Sequence, residues 1–294
     1  MTTPTHEPAP RKDDVTGVET TGHEWDGIEE LNNPMPRWWL WVFLVTIAWS
    51  IGYWVLMPAW PLVSDHTRGT LGYSQRARVA EDIAAARRAQ QVYIERLAKS
   101  SPAEIEADAD LRAFALAGGR SAYMVNCSQC HGSGAAGAKG YPNLNDDDWL
   151  WGGTLAAIEQ SIRYGIRSGH ASTRISEMPA FVRDGILQPA QAQDLADYVL
   201  SLGGNAADKA ATARGGKAFA ENCVACHGET GRGNRELGAP NLADAIWLYG
   251  GDKAAIAESI GNSRRGVMPE WEGRLDALTI KQLTIYVHSL GGGE

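Results

Sequence analysis

The chain has 294 residues, enough for two or three small domains, and a formal net charge of −8. Most of the acidic excess lies at the start, where residues 1–61 carry three Lys or Arg and eight Asp or Glu. There is no basic stripe and no aromatic stacking platform, so the composition excludes a nucleic-acid-binding protein.

The acidic N-terminal segment contains the run GHEWDGIEELNNPMPRWWLW, residues 22–41. Its Asn and Pro residues would stop any helix just before the apolar run that follows. No catalytic chemistry can be derived from these residues. We expect residues 1–37 to form a cytoplasmic leader that docks on a partner.

An uncharged run of twenty residues follows, WWLWVFLVTIAWSIGYWVLM, residues 38–57. As a helix it would span about 30 Å, which matches a bilayer core, and tryptophans crowd both of its ends. A core helix of this size would have little to pack against. A signal peptide would not follow so long a leader and would end in a cleavage site. The run predicts one retained transmembrane helix over 38–60.

Residues 61–112 are rich in Ala, Arg and Glu, which predicts a helical stalk, since a flexible tether would hold more Gly and Ser. Ser74 is the expected N-cap of the first stalk helix. Asp110 is the expected N-cap of the helix that enters the next domain.

All four cysteines lie in two related stretches, CSQCHGSGAAG at 127–137 and CVACHGETGRG at 223–233. C-x-x-C-H is the attachment pattern of c-type haem, in which two thiols bond the porphyrin and the histidine binds iron. A thioredoxin-like pair would need a βαβ context, and a Cys₄ zinc site would leave both histidines unexplained. The expected residues of two covalently bound haem c groups are Cys127, Cys130, His131, Cys223, Cys226 and His227.

The agreement extends beyond the motifs and defines an internal repeat. Each copy continues with Pro-Asn-Leu, then Trp before Gly-Gly, then Met-Pro, and each closes with an apolar stripe of helical period, LADYVLSLGG or LTIYVHSLGG. We therefore expect two domains, 113–205 and 206–294, joined by a hinge at 203–213.

Met178 and Met268 are the expected sixth iron ligands, because a thioether favours Fe(II) and the following proline fixes the loop. The alternative is that they fill the core. His170 lies in a stretch that the second repeat lacks. It is a surface residue, a contact to a propionate or partner, or a rival ligand. Whether each methionine serves the iron of its own repeat stays open, although that is the simplest arrangement.

Each repeat resembles a class I cytochrome c domain, with a glycine and an aromatic four residues apart on one helix crossing the closing helix. The implied fold class is all-α: one transmembrane helix, a helical stalk and two tandem class I cytochrome c domains. The leader, the single membrane helix and the two C-x-x-C-H domains together resemble the CcoP (FixP) family, the dihaem subunit of cbb3-type cytochrome c oxidases.

This resemblance implies a non-catalytic electron-transfer subunit of a proton-pumping respiratory complex. It would relay electrons from a donor cytochrome c to a monohaem cytochrome c subunit and onward to a catalytic haem-copper subunit. No copper or oxygen-reducing site is expected in this chain. The alternatives are a membrane-anchored dihaem carrier of another respiratory complex or dehydrogenase, and a dihaem peroxidase, which needs one iron with an open position.

The implied location is the bacterial inner membrane, with a cytoplasmic N-terminus and periplasmic haem domains, because haem is attached to C-x-x-C-H motifs outside the cytoplasm. The charges near the helix weakly favour the reverse orientation, since Arg37 stands alone on one side and Arg68 and Arg76 lie on the other. A long translocated domain overrides so small a difference.

Overall fold

The computed structural model describes residues 10–205, 208–291 and 293. The expected leader, hinge and second haem domain therefore each include residues outside the described part. The chain divides within one helix into two compact units, 1–88 and 89–294, and each is described by itself. Helices are the main secondary structure of the described residues and hold about half of them, as the all-α prediction expects.

The elements, in chain order, are β1 (Thr20–Trp25), β2 (Ile28–Leu31), α1 (Arg37–Leu56), α2 (Gln75–Lys99), α3 (Pro102–Ala107), α4 (Ala109–Asn126), α5 (Ser128–His131), α6 (Leu155–Tyr164), α7 (Pro189–Leu202), α8 (Lys209–Asn222), α9 (Val224–His227), α10 (Lys253–Asn262) and α11 (Ala277–His288).

In the first unit, β1 and β2 form an antiparallel hairpin that the sequence analysis did not predict. Its turn is Asp26-Gly27, with φ of 49° and 83°, the left-handed conformation that a two-residue hairpin turn requires. Trp25 and Ile28 flank this turn and are largely exposed. The Asp-Gly pair was the signal for a hairpin.

The apolar run forms α1, which is exposed along almost all of its length. Among the described residues it is the one helix long and apolar enough to cross a membrane. The predicted membrane helix is thus confirmed as a candidate span. The next helix, α2, starts directly after Ser74, whose Oγ accepts from Ala77 N at 3.3 Å.

In the second unit, Ser101 and Glu104 form a reciprocal capping box at the start of α3. The prediction of Asp110 as the N-cap of α4 is wrong. Asp108 takes that position and its carboxylate accepts from Leu111 N at 3.0 Å, because the preceding short helix ends there. Asp110 lies in the first turn of α4, where its charge favours the helix dipole.

Two helical lobes follow. From the repeats we expect each closing helix to pack on the opening helix of its own repeat, and the fold differs from this. The Cys223 lobe is one continuous segment, 178–262, in which α7 packs on α8 and α10, and the short helix α9 lies against α8. The Cys127 lobe joins two distant segments, 109–164 and 266–290, in which α4 and α6 pack on α11, and the short helix α5 lies against α4. Each closing helix therefore packs on the opening helix of the other repeat.

The short connection between α7 and α8 explains this exchange. Residues 203–208 join two helices that lie against each other, as expected for consecutive elements with a short link. The stretch 203–213 is therefore not a hinge between separate bodies. Lys253 of α10 also holds α7, since its Nζ lies 2.8 Å from Oδ2 of Asp197, a residue that is only 3% exposed.

Both exchanged contacts use glycine to bring backbones together. A Cβ atom on Gly119 of α4 would lie 2.2 Å from the carbonyl oxygen of Gln282, and one on Gly215 of α8 would lie 2.1 Å from that of Asp194. Such distances leave no room for a side chain. The close crossing of a Gly-bearing helix by a closing helix is thus confirmed, with the closing helices exchanged.

Candidate metal centres

Both C-x-x-C-H motifs fold into the same short structure. Helix α4 ends at Asn126, Cys127 follows as its C-cap, and α5 covers Ser128–His131. A single turn of helix brings the cysteine at the start of the motif beside the cysteine and histidine three and four residues later. Helices α8 and α9 repeat this arrangement at Cys223.

The two motif histidines are oriented by identical hydrogen bonds. His131 Nδ1 lies 3.0 Å from the carbonyl oxygen of Pro142, and His227 Nδ1 lies 3.1 Å from that of Pro240. A carbonyl only accepts, so each Nδ1 carries the proton and donates it. Each Nε2 is left with its lone pair for a metal, as in most histidine ligands.

Burial tunes the motif side chains in the same way in both lobes. Desolvation lowers the pKa of His131 and of His227, which keeps the imidazoles neutral and able to bind iron. Desolvation raises the pKa of Cys127 and of Cys223 to about 11. A reactive thioredoxin-like thiol has a lowered pKa instead, so this alternative does not fit.

A partly open cavity of about 640 Å³ lies at the Cys223 lobe, and residues of the first repeat also contribute to its lining. That volume lies within the range of about 300–1,000 Å³ of cofactor pockets. The cavity is mostly apolar, and its lining includes Cys223, Cys226, His227 and Met178. Two thiols, an imidazole with a free Nε2 and a thioether around an apolar cavity are the donor set of a His/Met c-type haem, so the residues present fit that group.

The Cys127 lobe has the equivalent set. Met268 and Cys127 pack on the same apolar cluster, together with Tyr123 and Trp149. The two cysteine pairs lie in different lobes, so they do not form a Cys₄ zinc site. Among the described residues, no group of three or more His, Cys, Asp and Glu is arranged to hold a metal ion.

The exchange of segments also exchanges the methionines. Met178 belongs to the first repeat but lines the cavity that holds His227. Met268 belongs to the second repeat but packs in the lobe of Cys127, and its backbone pairs with Ile166 through two hydrogen bonds of 3.0 Å. The in-repeat arrangement, which seemed simplest from spacing, is not the one that the fold produces.

His170 is engaged by protein groups at both ring nitrogens. Nδ1 accepts from Ser172 N at 3.0 Å, and Nε2 lies 3.5 Å from a carboxylate oxygen of Glu272. Its ring also stacks on Tyr164. His170 is thus partly exposed and held by protein groups on both sides of its ring.

The sequence analysis missed a pair of equivalent arginines. Arg174 and Arg264 each precede a Met-Pro by four residues, so R-x-x-x-M-P occurs in both repeats. Each guanidinium lies over an aromatic ring, Trp151 or Tyr249, which are themselves equivalent in the repeat. Aligning the repeats up to the methionines would have revealed them.

One carboxylate that lines the cavity of the Cys223 lobe, Asp148, has a raised pKa. Burial, and after it the negative charges of Asp244 and Asp146, raise the pKa of Asp148 to about 6. Asp148 and Asp146 both line the cavity of the Cys223 lobe although they belong to the first repeat. At neutral pH this edge of the cavity is therefore acidic.

Two lobes that combine a C-x-x-C-H turn with a methionine, in a chain with one candidate membrane helix, define a membrane-anchored c-type cytochrome. The family model described as the N-terminal domain of cytochrome oxidase-cbb3, FixP, matches residues 17–64. The model described as cytochrome c oxidase, cbb3-type, subunit III, matches 114–199 and 210–287.

The chain is 55% identical over 283 residues to the cbb3-type cytochrome c oxidase subunit FixP of Bradyrhizobium sp. (strain ORS 278), with 96% of this chain and 98% of the relative covered. It is 52% identical over 290 residues to subunit CcoP of Azospirillum brasilense, with the same coverage. The chain therefore belongs to the FixP/CcoP family of cbb3-type cytochrome c oxidase subunits, a family that implies haem c as cofactor.

Proposed function

We propose that this subunit is a two-centre electron relay, with one haem c covalently attached to Cys127 and Cys130 and a second to Cys223 and Cys226. Haem c, when bound, supplies a one-electron Fe(III)/Fe(II) couple. The chain fixes the cofactor through the thiols, offers neutral imidazoles, and surrounds both centres with apolar side chains that keep out water.

The axial pairs in this proposal cross the repeats. His131 acts with Met268, and His227 acts with Met178, because these residues share a lobe. With an imidazole and a thioether as its two protein ligands, each iron would have no open position for a substrate. This coordination supports a relay and argues against a peroxidase, which needs one open iron.

The observation that carries the proposal is the contact between the two centres. Pro142, whose carbonyl oxygen holds His131, also lines the cavity of His227. The same loop is fixed to the second repeat by Gly140 N, which donates to the carbonyl oxygen of Leu248 at 2.8 Å. An axial residue of one centre is thus one hydrogen bond from the wall of the other.

Around this core we propose the division 1–37 leader, 38–60 membrane helix, 61–112 stalk, and two haem-binding sequence domains, 113–205 and 206–294. The N-terminus lies in the cytoplasm and the haem domains in the periplasm of the inner membrane. Electrons enter from a donor cytochrome c. They leave to a monohaem subunit and then to the catalytic haem-copper subunit, so this chain itself is not catalytic.

The test is mild detergent purification of the tagged full chain from its host. We expect haem staining that survives denaturation, a mass increase of two haems, co-purifying haem b and copper, and little carbon monoxide binding to the separated subunit. Absence of covalent haem would reject the relay. Strong carbon monoxide binding by the separated subunit would favour the peroxidase, and co-purification with a dehydrogenase would favour another complex.

The axial assignment has its own test. In a chain with Cys127 and Cys130 changed to Ser, Met178→Ala should abolish the methionine-to-iron charge-transfer band, whereas Met268→Ala should leave it. The opposite pattern would mean that each methionine serves its own repeat. If the single-haem chain does not accumulate, redox titration of the two methionine variants in the intact chain answers the same question, because each should lower a different one of the two potentials.

A further inference from the structure

The equivalent arginines of the two repeats hold their guanidinium groups in the same way. Arg264 Nε and Nη2 donate to Ser259 Oγ at 3.0 and 2.6 Å, and Nη2 also donates to the carbonyl oxygen of Ala255 at 2.5 Å. Arg174 Nη1 donates to Ser161 Oγ at 2.5 Å and lies 3.5 Å from the carbonyl oxygen of Ala157. Serine, carbonyl and aromatic ring correspond one to one between the repeats.

These contacts orient the arginines without neutralising them. Neither guanidinium has a carboxylate within ion-pair distance among the described residues, although both are half-buried. Nη1 of Arg264 and Nε of Arg174 donate to no group in the described part of the chain. We expect a half-buried guanidinium with a free donor to bind an anion, because arginine stays charged and the desolvation of its charge is costly.

The position of Arg264 indicates which anion it binds. It lines the cavity that holds His227 and Met178. The neighbouring Arg265 on that wall is already paired with Glu177. The porphyrin of a c-type haem carries two propionate groups, and planar arginine suits a carboxylate because its fork donates two parallel hydrogen bonds.

We propose that Arg264 binds a propionate of the haem on Cys223 and Cys226, and that Arg174 binds a propionate of the haem on Cys127 and Cys130. This inference rests on the proposed function. Arg174 belongs to the Cys127 centre because its partners, Ala157 and Ser161, lie on α6, whose apolar face builds that lobe.

The assignment gives the segments 174–178 and 264–268 a double role. Each segment begins with an arginine for the haem of its own repeat and ends, four residues later, with the methionine that lies in the other lobe. A single short strap therefore contacts both centres, and there are two such straps.

The arginines also set the potentials. A cation close to a haem stabilises the extra electron of the reduced state, so its removal lowers the reduction potential. One partly buried charge changes such an equilibrium by roughly tenfold, which is about 59 mV for a one-electron couple.

The experiment is an optical redox titration of the full chain in detergent, with chains that keep only one C-x-x-C-H motif used to assign the two waves. Arg264→Gln should lower the reduction potential of the Cys223 haem by the equivalent of about a tenfold change in the equilibrium constant. The potential of the other haem should stay unchanged. Arg174→Gln should do the converse. Lysine at either position should restore more than half of the shift, because it keeps the charge.

Arg120→Gln is the matched control, since Arg120 is exposed on α4 and the substitution removes the same charge. Shifts no larger than those of this control, or a shift of the opposite wave, would overturn the assignment. Haem staining of each variant on a denaturing gel distinguishes a failure of the proposed function from a failure of the arginine assignment. Loss of attached haem in the unsubstituted chain refutes the proposed function, whereas intact staining with unmoved waves refutes only the role of the arginines.

Discussion

Substitution of Gly215 by alanine should weaken the fold, whereas the same change at Gly216 should not. Both residues lie in α8, where alanine gains about 1 kcal/mol over glycine in helix propensity. The added Cβ at 215 would lie 2.1 Å from the backbone oxygen of Asp194, but at 216 it would lie 3.1 Å from the ring of Tyr198. The backbone at Asp194 cannot shift locally to make room, whereas the ring of Tyr198 can tilt away.

The expected difference follows from these distances. Overpacking costs about 1–3 kcal/mol, so Gly215→Ala should lose up to about 2 kcal/mol net, and Gly216→Ala should be neutral or slightly stabilising. For a unit of this size the two variants should differ by about 4–8 °C in melting temperature. Thermal unfolding followed by circular dichroism measures this difference. Equal melting temperatures would show that α7 and α8 do not meet as described.

Three further variants test other contacts. Lys281→Met should cost about 1–3 kcal/mol in denaturant unfolding, because Nζ donates to three carbonyl oxygens at the end of α2, and Lys281→Arg should recover part of the loss. Lys253→Met should lower the free energy of unfolding by about 3 kcal/mol, because it leaves the Asp197 carboxylate buried without its cation. Asp197→Asn should lower it by less. The reverse order would contradict a buried ion pair. Because the folded-state pKa of Asp148 is raised to about 6, the folded protein holds this proton more tightly than the unfolded chain, so stability should fall as pH rises from about 4 to 6. Asp148→Asn should flatten that slope, by less than about 2 kcal/mol after solvent screening, and Asp147→Asn at an exposed neighbour should keep it.

The sequence predicts most of the helices and the candidate membrane span, because each has a strong local signal. A C-x-x-C-H motif folds within one turn of helix, and an uncharged run of twenty residues indicates a membrane-spanning helix without any other information. The hairpin of the leader was missed because only one short signal, Asp26-Gly27, marks it, and the strands themselves do not alternate clearly between apolar and polar residues.

The exchange of closing helices was not predictable from the apolar pattern. The stripe of α7 and the stripe of α11 are nearly the same, and the glycine faces of α4 and α8 are nearly the same as well. Either pairing buries equivalent side chains. The choice is made by chain connectivity, since the short link after α7 leaves it beside α8 and only α11 remains for α4.

Chain connectivity also sets an order of biogenesis. All helices of the Cys223 lobe lie between residues 178 and 262, so this lobe can form as soon as that stretch has been synthesised. The earlier-translated motif must wait for α11, the last of the described helices, before its own lobe can close. A premature stop codon just before α11 would therefore leave the Cys127 lobe open and spare the Cys223 lobe, although the latter is nearer to the break in sequence.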